Sequence, residues 1–122
     1  MDFQHSERAA RLRQQIDDFM DRHVFPAEHL YREQVHGSDA AARYRTPPVV
    51  QQLKALAREH GLWNLFLPGS HGAGLSNLEY APLAESMGRV LWASEVFNCS
   101  APDTGNMEVL AQYGTPEQQA QW

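Results

Sequence analysis

Residues 53–89 read LKALAREHGLWNLFLPGSHGAGLSNLEYAPLAESMGR, and the turn formers, caps and apolar residues of this stretch decide the fold. A helix is predicted to end at Gly61, because glycine readily takes the left-handed conformation that closes a last helical turn. A second helix is predicted after the glycine-rich loop, because Ser76 and Glu79 have the spacing of a capping box. Pro82 lies beyond the first turn of that helix, so we expect a distortion there.

The loop between these two helices, PGSHGAGLS at residues 68–76, comes close to the glycine spacing of a phosphate-binding loop. Such a loop needs a lysine after its last glycine and a preceding strand in a parallel sheet. Here Leu75 follows Gly74, and the short apolar run LWNLFLP at residues 62–68 is the one candidate strand of the chain. The loop therefore indicates a turn rather than a nucleotide site.

The segment before this stretch predicts one long helix over Ser6–Gln34. Apolar residues recur there at helical spacing, with charged residues between them. Pro26 removes one backbone donor and crowds the carbonyl of Arg22, so we expect a kink. The helix that leads into the quoted stretch is predicted to begin with Thr46 as its N-cap and Pro47 at its first position.

The remaining segments complete the prediction of the fold. Turn formers at residues 36–45 predict a connection, and residues 94–113 are predicted to be helical at least in their second half. Gly114 ends that helix, and a second capping box begins a last helix at Thr115. The sequence therefore predicts an all-α domain of about five helices, with kinks and short loops.

Charge and composition exclude several classes of partner. Ten Lys and Arg residues stand against 15 Asp and Glu, and they form no basic stripe, so nucleic acid is not an expected partner. No run approaches the ~18 apolar residues of a membrane span. Asp2 and Glu7 do not fit a secretory signal or a transit peptide, and a single cysteine forms no internal disulfide. These features predict a cytoplasmic location.

The residues that most often carry chemistry are scattered along this chain. No two of its six histidines have a helical ligand spacing of three or four, so we predict no metal site. Cys99 has no histidine at a fixed spacing, and we interpret it as a small buried residue rather than a nucleophile.

FNCSAPDTGN at residues 97–106 allows two interpretations. In the first, it starts a helix, with Ser100 or Asp103 as the cap and Pro102 in the first turn. In the second, it is a helix of small side chains that leaves room for a ligand. One face would then carry three residues at a spacing of four, namely Phe97, Ala101 and Gly105.

The order of these segments resembles the N-terminal helical domain of the acyl-CoA dehydrogenases, over essentially the whole chain. The resemblance is carried by residues 53–89, quoted above, and by NMEVLAQYGTPEQQAQW at residues 106–122. In that family a helix ends in a Gly-Leu turn, and a short apolar run leads to a proline, a glycine-rich loop and another helix. A later helix ends in Tyr/Phe-Gly-Thr before a Glu-Gln segment. FNCSAPDTGNMEVL at residues 97–110 is similar to the branch of the animal family members ten and eleven.

The resemblance implies a flavoenzyme of three parts, in which residues 1–122 are the N-terminal α-domain. The middle β-domain and the C-terminal helical domain lie outside this chain, and FAD lies mainly between those two. A glutamate removes the α proton of the acyl-CoA while the flavin takes the β hydride, which gives a 2-enoyl-CoA. No glutamate here matches the motif of that base, so no catalytic residue is assigned.

The implied partners are the acyl-CoA substrate, an electron-accepting flavoprotein and further copies in a homo-oligomer. By itself, this chain is expected neither to hold FAD tightly nor to catalyse the reaction. Its implied contribution is part of the wall of the acyl pocket. Pro102 departs from the uninterrupted helix that is usual in the family. Alignment backwards from Gly114 gives four substrate-binding positions, namely Phe97, Asn98, Ala101 and Gly105.

A second function class stands beside the enzyme domain, a free-standing helical module that docks an apolar face on a protein partner. The supporting feature is an apolar cluster made of Trp63, Leu65, Phe66, Leu67, Leu91 and Trp92. The last capped helix begins only a few residues before Trp122, so we expect the polypeptide to continue. A stop codon directly after Trp122 would favour the module.

Overall fold

The computed structural model describes residues 4–37, 41 and 44–122, so part of the connection predicted over residues 36–45 lies outside the described residues. The described part is helical and contains no strand, which confirms the all-α prediction. None of its helices is both long and apolar enough to cross a membrane. The α-helices are α1 Glu7–Phe19, α2 Phe25–His36, α3 Pro48–Glu59, α4 Asn77–Met87, α5 Ala93–Val96, α6 Asp103–Tyr113 and α7 Pro116–Gln121.

The first long helix is interrupted before Pro26 by a π-helical turn over Met20–Val24. The Phe25 amide donates to the Met20 carbonyl, five residues earlier, and the proline that follows has no amide to donate. A π turn between α1 and α2 therefore lies where Pro26 predicted a kink. Ser6 caps α1, since its hydroxyl accepts a hydrogen bond from the Ala9 amide at 3.2 Å.

The predicted start of α3 is wrong by one residue. Pro47 is the N-cap and Pro48 occupies the first helical position, so Thr46 lies outside the helix and does not cap it. A free amide of the first turn, that of Val49, donates instead to the Gln34 side-chain oxygen at 2.9 Å. A side chain of α2 thus accepts a hydrogen bond from the first turn of α3, where the sequence predicted a local N-cap.

The end of α3 agrees with the prediction. Gly61 has a φ of +68°, and its amide and that of Leu62 donate to the carbonyls of Arg58 and Ala57. These two hydrogen bonds form a Schellman motif, in which a glycine is favoured at the left-handed position. Leu62 is buried, so the motif also turns the chain into the core.

Residues 62–68 form turns, so the predicted strand is wrong. Asn64 has a φ of +56°, and its carbonyl accepts a hydrogen bond from the Leu67 amide at 3.0 Å. A buried backbone must pair its polar groups, and no second strand is available among the described residues to pair with this one. Turns pair them locally and still bury Leu65 and Leu67.

The capping box of α4 is confirmed. The Glu79 amide donates to the Ser76 hydroxyl, and the Glu79 carboxylate accepts from the Ser76 amide. α4 then runs through Pro82 without an interruption. Pro82 has no amide to donate, so the Leu78 carbonyl, four residues earlier, loses its helical hydrogen-bond partner. The Leu78 side chain is exposed, so this residue lies on the side of α4 that is open to water.

The core lies between α1, α3, α4 and α5. α1 packs along α4, while α3 packs against α5 and α2. Two ion pairs accompany these contacts, Arg13 with Glu85 between α1 and α4 and Lys54 with Glu95 between α3 and α5. The fully buried larger side chains are Phe97, Ile16, Met20, Leu62, Leu83, Met87, Val24, Val50 and Val96.

Candidate functional site

A cleft of about 170 Å³ lies between the α6–α7 hairpin and the turns that follow α3. The hairpin is closed by Gln119, whose side-chain amide donates to the carbonyls of Leu110, Ala111 and Gly114. The lining of the cleft combines amide and cationic side chains with apolar ones. Its residues are Arg58, Trp63, Asn64, Leu67, His71, Asn98, Met107, Leu110, Ala111, Gln119 and Trp122.

Two asparagines bridge the inner end of this cleft. The Asn98 side-chain amide donates to the Asn64 side-chain oxygen at 2.6 Å and to the Met107 sulfur at 3.2 Å. The backbone joins the same two turns, because the Asn64 amide donates to the Phe97 carbonyl at 3.1 Å. Both asparagines have a φ of +56°, a conformation that asparagine tolerates better than most residues.

Arg58 and Trp63 place a cation beside an aromatic ring in the lining of the cleft. The Arg58 guanidinium lies 4.1 Å from the centroid of the Trp63 ring, and no carboxylate of the described residues pairs with it. The ring face attracts the cation and holds it beside the cleft. His71 lines the same cleft from the short 3₁₀ turn Gly69–His71. This side of the cleft therefore favours a polar or anionic group over an apolar one.

The four predicted substrate-binding residues lie in different surroundings in the structure. Phe97 is fully buried and packs edge-on against Phe19, with ring centroids 5.3 Å apart. Asn98 is half-buried and lines the cleft, whereas Ala101 and Gly105 are exposed. The second interpretation of residues 97–106, a helix face shared by Phe97, Ala101 and Gly105, is wrong, because Phe97 is the C-cap of α5 and only Gly105 lies in α6.

The first interpretation of residues 97–106, as a helix start, is the closer one. α6 begins at Asp103, but its N-cap is Pro102, which offers no side-chain hydrogen bond. The Ser100 carbonyl, rather than its side chain, accepts from the Thr104 amide at 3.2 Å. The turn that precedes α6 is therefore held by backbone contacts and by the Asn98 side chain.

Cys99 is partly covered and lies beside Tyr80. Its thiol is 3.3 Å from the Phe97 carbonyl, to which it donates. Burial raises the pKa of the Cys99 thiol and also that of the Tyr80 phenol, which is in hydrogen-bond contact with it. A thiol that resists deprotonation is a poor nucleophile, so the environment favours a packing role for this cysteine.

Two histidines meet near the π turn, although they are far apart in sequence. The rings of His23 and His60 lie 6.1 Å apart, and both contact the Phe19 ring. Burial lowers the pKa of His23, and the nearby His60 and Arg22 lower it further. In the part of the chain that the structure describes, no three metal-ligating side chains come together.

The glycine-rich loop turns the chain, as predicted. Gly69 and Gly74 both have positive φ. The start of α4 is already occupied by the Glu79 carboxylate, whose pKa is lowered by hydrogen bonds from the Ser76 amide and from the Ser6 and Ser76 hydroxyls. An internal carboxylate thus takes the place that a bound anion would need.

Of the residues that line the cleft, sequence reasoning assigned only Asn98 to substrate binding. The missed residues include Arg58, Asn64 and Met107. Asn64 carried a signal, since an asparagine inside a short apolar run after a Gly-Leu turn is typical of a turn rather than a strand. Arg58 and Met107 carried none. Their roles depend on which segments the fold brings beside them.

Comparison with known proteins places this fold in a family. Residues 6–122 match the family model described as acyl-CoA dehydrogenase, N-terminal domain. The mouse (Mus musculus) acyl-CoA dehydrogenase family member 10 is 50% identical over 119 residues, which cover 92% of this chain and 11% of that protein. A Mycobacterium tuberculosis protein named "Probable acyl-CoA dehydrogenase FadE2" is 48% identical over 126 residues, which cover 100% of this chain and 30% of that protein.

A solved structure shows the same similarity in three dimensions. It is that of a Mycobacterium abscessus protein assigned as an acyl-CoA dehydrogenase, with a TM-score of 0.84 and 49% identity. The match covers 98% of this chain and 31% of that one, so the chain spans about a third of its solved relative. The chain therefore belongs to the acyl-CoA dehydrogenase family, and residues 6–122 match its N-terminal domain.

Proposed function

We propose that this chain serves a flavin-dependent acyl-CoA dehydrogenase and contributes part of the wall of its acyl pocket. The observation that carries the proposal is the family match over residues 6–122. A cleft beside α6, lined by Asn98 but by none of the other three implied substrate-binding residues, is consistent with it. The match to one domain of longer proteins named as acyl-CoA dehydrogenases supports this function over a free-standing docking module. The predicted apolar cluster of such a module is also dispersed, because Leu65 and Leu67 are buried while Leu91 is 98% exposed.

The four implied substrate-binding residues take different parts in this proposal. Asn98 lines the cleft directly, and Phe97 supports the wall from the core side. Ala101 and Gly105 leave an open surface, since a methyl group added at Gly105 would meet no atom within 4 Å. Small residues on that surface, which lies outside the cleft, leave room for another part of the enzyme to pack beside α6.

The contribution of this chain to the reaction is to shape and dry the pocket. Leu67, Met107 and Leu110 present apolar atoms to the cleft and exclude water from an acyl chain placed there. FAD, when bound in the complete enzyme, supplies the acceptor for the β hydride. The carboxylate that removes the α proton comes from outside this chain, because no glutamate here matches the motif of that base.

Several wider properties belong to the same proposal. The family implies an acyl-CoA substrate, an electron-accepting flavoprotein and a homo-oligomer. A cytoplasmic location is proposed from composition and charge. The chain by itself is proposed to be inactive and to hold no FAD tightly, so stoichiometric flavin on the isolated 122 residues would contradict this part of the proposal.

The test is the visible spectrum of the protein expressed from the complete reading frame that encodes these residues. We expect flavin absorption bands, and we expect them to bleach when an acyl-CoA is added without oxygen. Bands that persist with acyl-CoAs of short, medium and long chains would contradict the substrate class. A colourless protein that ends at Trp122 would contradict the enzyme and favour the docking module.

A further inference from the structure

Asn64 and Asn98 form an unusual pair, because both are non-glycine residues with a φ of +56° and their side chains meet at 2.6 Å. Residues in this left-handed region persist when the surrounding structure holds them there. Asn64 begins the turn that its carbonyl closes with the Leu67 amide, and Asn98 ends the turn that follows α5, where its amide donates to the Glu95 carbonyl. The contact therefore ties two turns that are 34 residues apart in sequence.

The pair extends to α6 through Met107. One amide group of Asn98 donates to both the Asn64 oxygen and the Met107 sulfur, so its two protons have partners on two different segments. The Asn64 oxygen thus fixes the orientation of the Asn98 amide, and the Asn98 amide contacts the middle of α6. Without an acceptor at residue 64, the amide of Asn98 could rotate away from Met107.

α6 depends on such polar contacts because apolar burial does not hold it. None of its residues is buried, and Val109 and Tyr113 are 60% and 74% exposed. Clefts lie on its inner side, between the helix and residues 63–71. α1, α3 and α4, in contrast, each bury several apolar side chains.

We propose that Asn64 is a positioning residue, which holds the acyl-pocket wall of α6 in place through Asn98 and Met107. The proposal rests on the proposed function, and it adds a residue that lies outside the four implied by the family resemblance. Asn64 acts by orienting Asn98, whose own side chain lines the cleft. The wall then keeps the shape that decides which acyl chains fit.

The first test is hydrogen exchange of the 122-residue chain carrying N64G, N98G or both. Glycine removes each side chain and still accepts a φ of +56°, so backbone strain does not confuse the result. We expect the amides of α6 to exchange about tenfold faster in either single variant, as the loss of one hydrogen bond allows. The double variant is expected to be no faster than the singles, because both disrupt the same bridge.

The matched control is N64D, which keeps an oxygen acceptor on a side chain of the same shape and also tolerates the left-handed conformation. Its α6 amides are expected to exchange at nearly the wild-type rate. Unchanged exchange of α6 in N64G would overturn the proposal. Equal acceleration of α3, α4 and α6 in N64G would also overturn it, because that pattern marks a general loss of stability.

The second test uses the complete enzyme and the ratio of kcat/KM between a long-chain and a short-chain acyl-CoA. N64G is expected to change this ratio about tenfold, while N64D stays close to the wild-type ratio. A ratio that N64G leaves unchanged, in an enzyme whose wild type bleaches with acyl-CoA, would overturn the role in the pocket wall. A wild type whose flavin bands never bleach would instead contradict the proposed function. The exchange experiment would still test whether Asn64 holds α6 through Asn98 and Met107.

Discussion

Phe97 shows how a residue placed by family resemblance acquires a different neighbourhood in the fold. It is fully buried against Phe19 in the core, rather than on a ligand-facing helix. We expect Phe97→Ala to lower the free energy of unfolding by about 3–5 kcal/mol, because it removes a large buried ring and leaves a cavity. Denaturant titration of the chain measures this.

The control for that substitution is Tyr113→Ala, which truncates an aromatic ring that is 74% exposed. Its effect should stay within about 0.5 kcal/mol. Similar losses of unfolding free energy in both variants would contradict the placement of Phe97 in the core.

Gly72 and Gly105 differ in the space that is available for a side chain. A methyl group at Gly72 would lie 2.1 Å from the Leu67 carbonyl oxygen and 2.6 Å from that of Asn64. We expect Gly72→Ala to destabilise the chain by about 1–3 kcal/mol, since backbone atoms cannot move aside easily. Gly105 has open space around it, so Gly105→Ala should stabilise α6 by about 0.5 kcal/mol. Thermal and denaturant unfolding of both variants would test the contrast, and a neutral Gly72→Ala would contradict it.

His23 makes stability depend on pH. Burial and the neighbouring His60 and Arg22 lower its pKa in the folded state, so the unfolded chain binds its proton more readily. The stabilisation is complete above the unfolded pKa of about 6.5, and it is lost as the pH falls through that value toward the lower folded pKa. As the pH falls from neutral to mildly acidic, the free energy of unfolding of His23→Gln, measured by denaturant titration at each pH, should decrease less than that of the wild type. Parallel curves for the two proteins would rule out His23 as the cause.

At the scale of elements, the two capping boxes have the same chemistry in different surroundings. Ser76 starts α4, which packs on α1, whereas Thr115 starts α7, which has no buried residue. Ser76→Ala should lower the free energy of unfolding by about 1 kcal/mol, because it removes the N-cap acceptor and a donor to Glu79. Thr115→Ala should fray α7 with little effect on global unfolding. Helix-resolved hydrogen exchange separates these results, and an equal global loss in both would contradict the distinction.

The elements that the sequence predicted well are those whose signals are local. Ser6–Ala9, Ser76–Glu79 and Gly61 act within one helical turn, so residue type and spacing are sufficient to locate them. Two of the errors, at the start of α3 and at residues 62–68, depended on segments that are distant in sequence. Gln34 satisfies the start of α3 in place of Thr46. Residues 62–68 form turns because the described part of the chain offers them no partner strand.

At the scale of the whole molecule, stability is distributed unevenly. α1, α3, α4 and α5 enclose the buried core, while α6 and α7 bury no residue. We expect the amides of α6 and α7 to exchange at least about tenfold faster than those in the middle of α3, because local opening there exposes little apolar surface. Hydrogen exchange with mass spectrometry would measure this. Equal protection across all helices would contradict the division.

The sequence by itself determined the helical class, the helix ends with local caps, the turn at the glycine-rich loop and the resemblance to a family. These properties depend on residue type and on spacings of a few positions. Only the tertiary structure decided that Phe97 belongs to the core, that Asn64 meets Asn98, and that the cleft lies under α6. The physical reason is distance along the chain. Packing and hydrogen bonds between residues tens of positions apart depend on how the helices assemble, and no local pattern encodes that assembly.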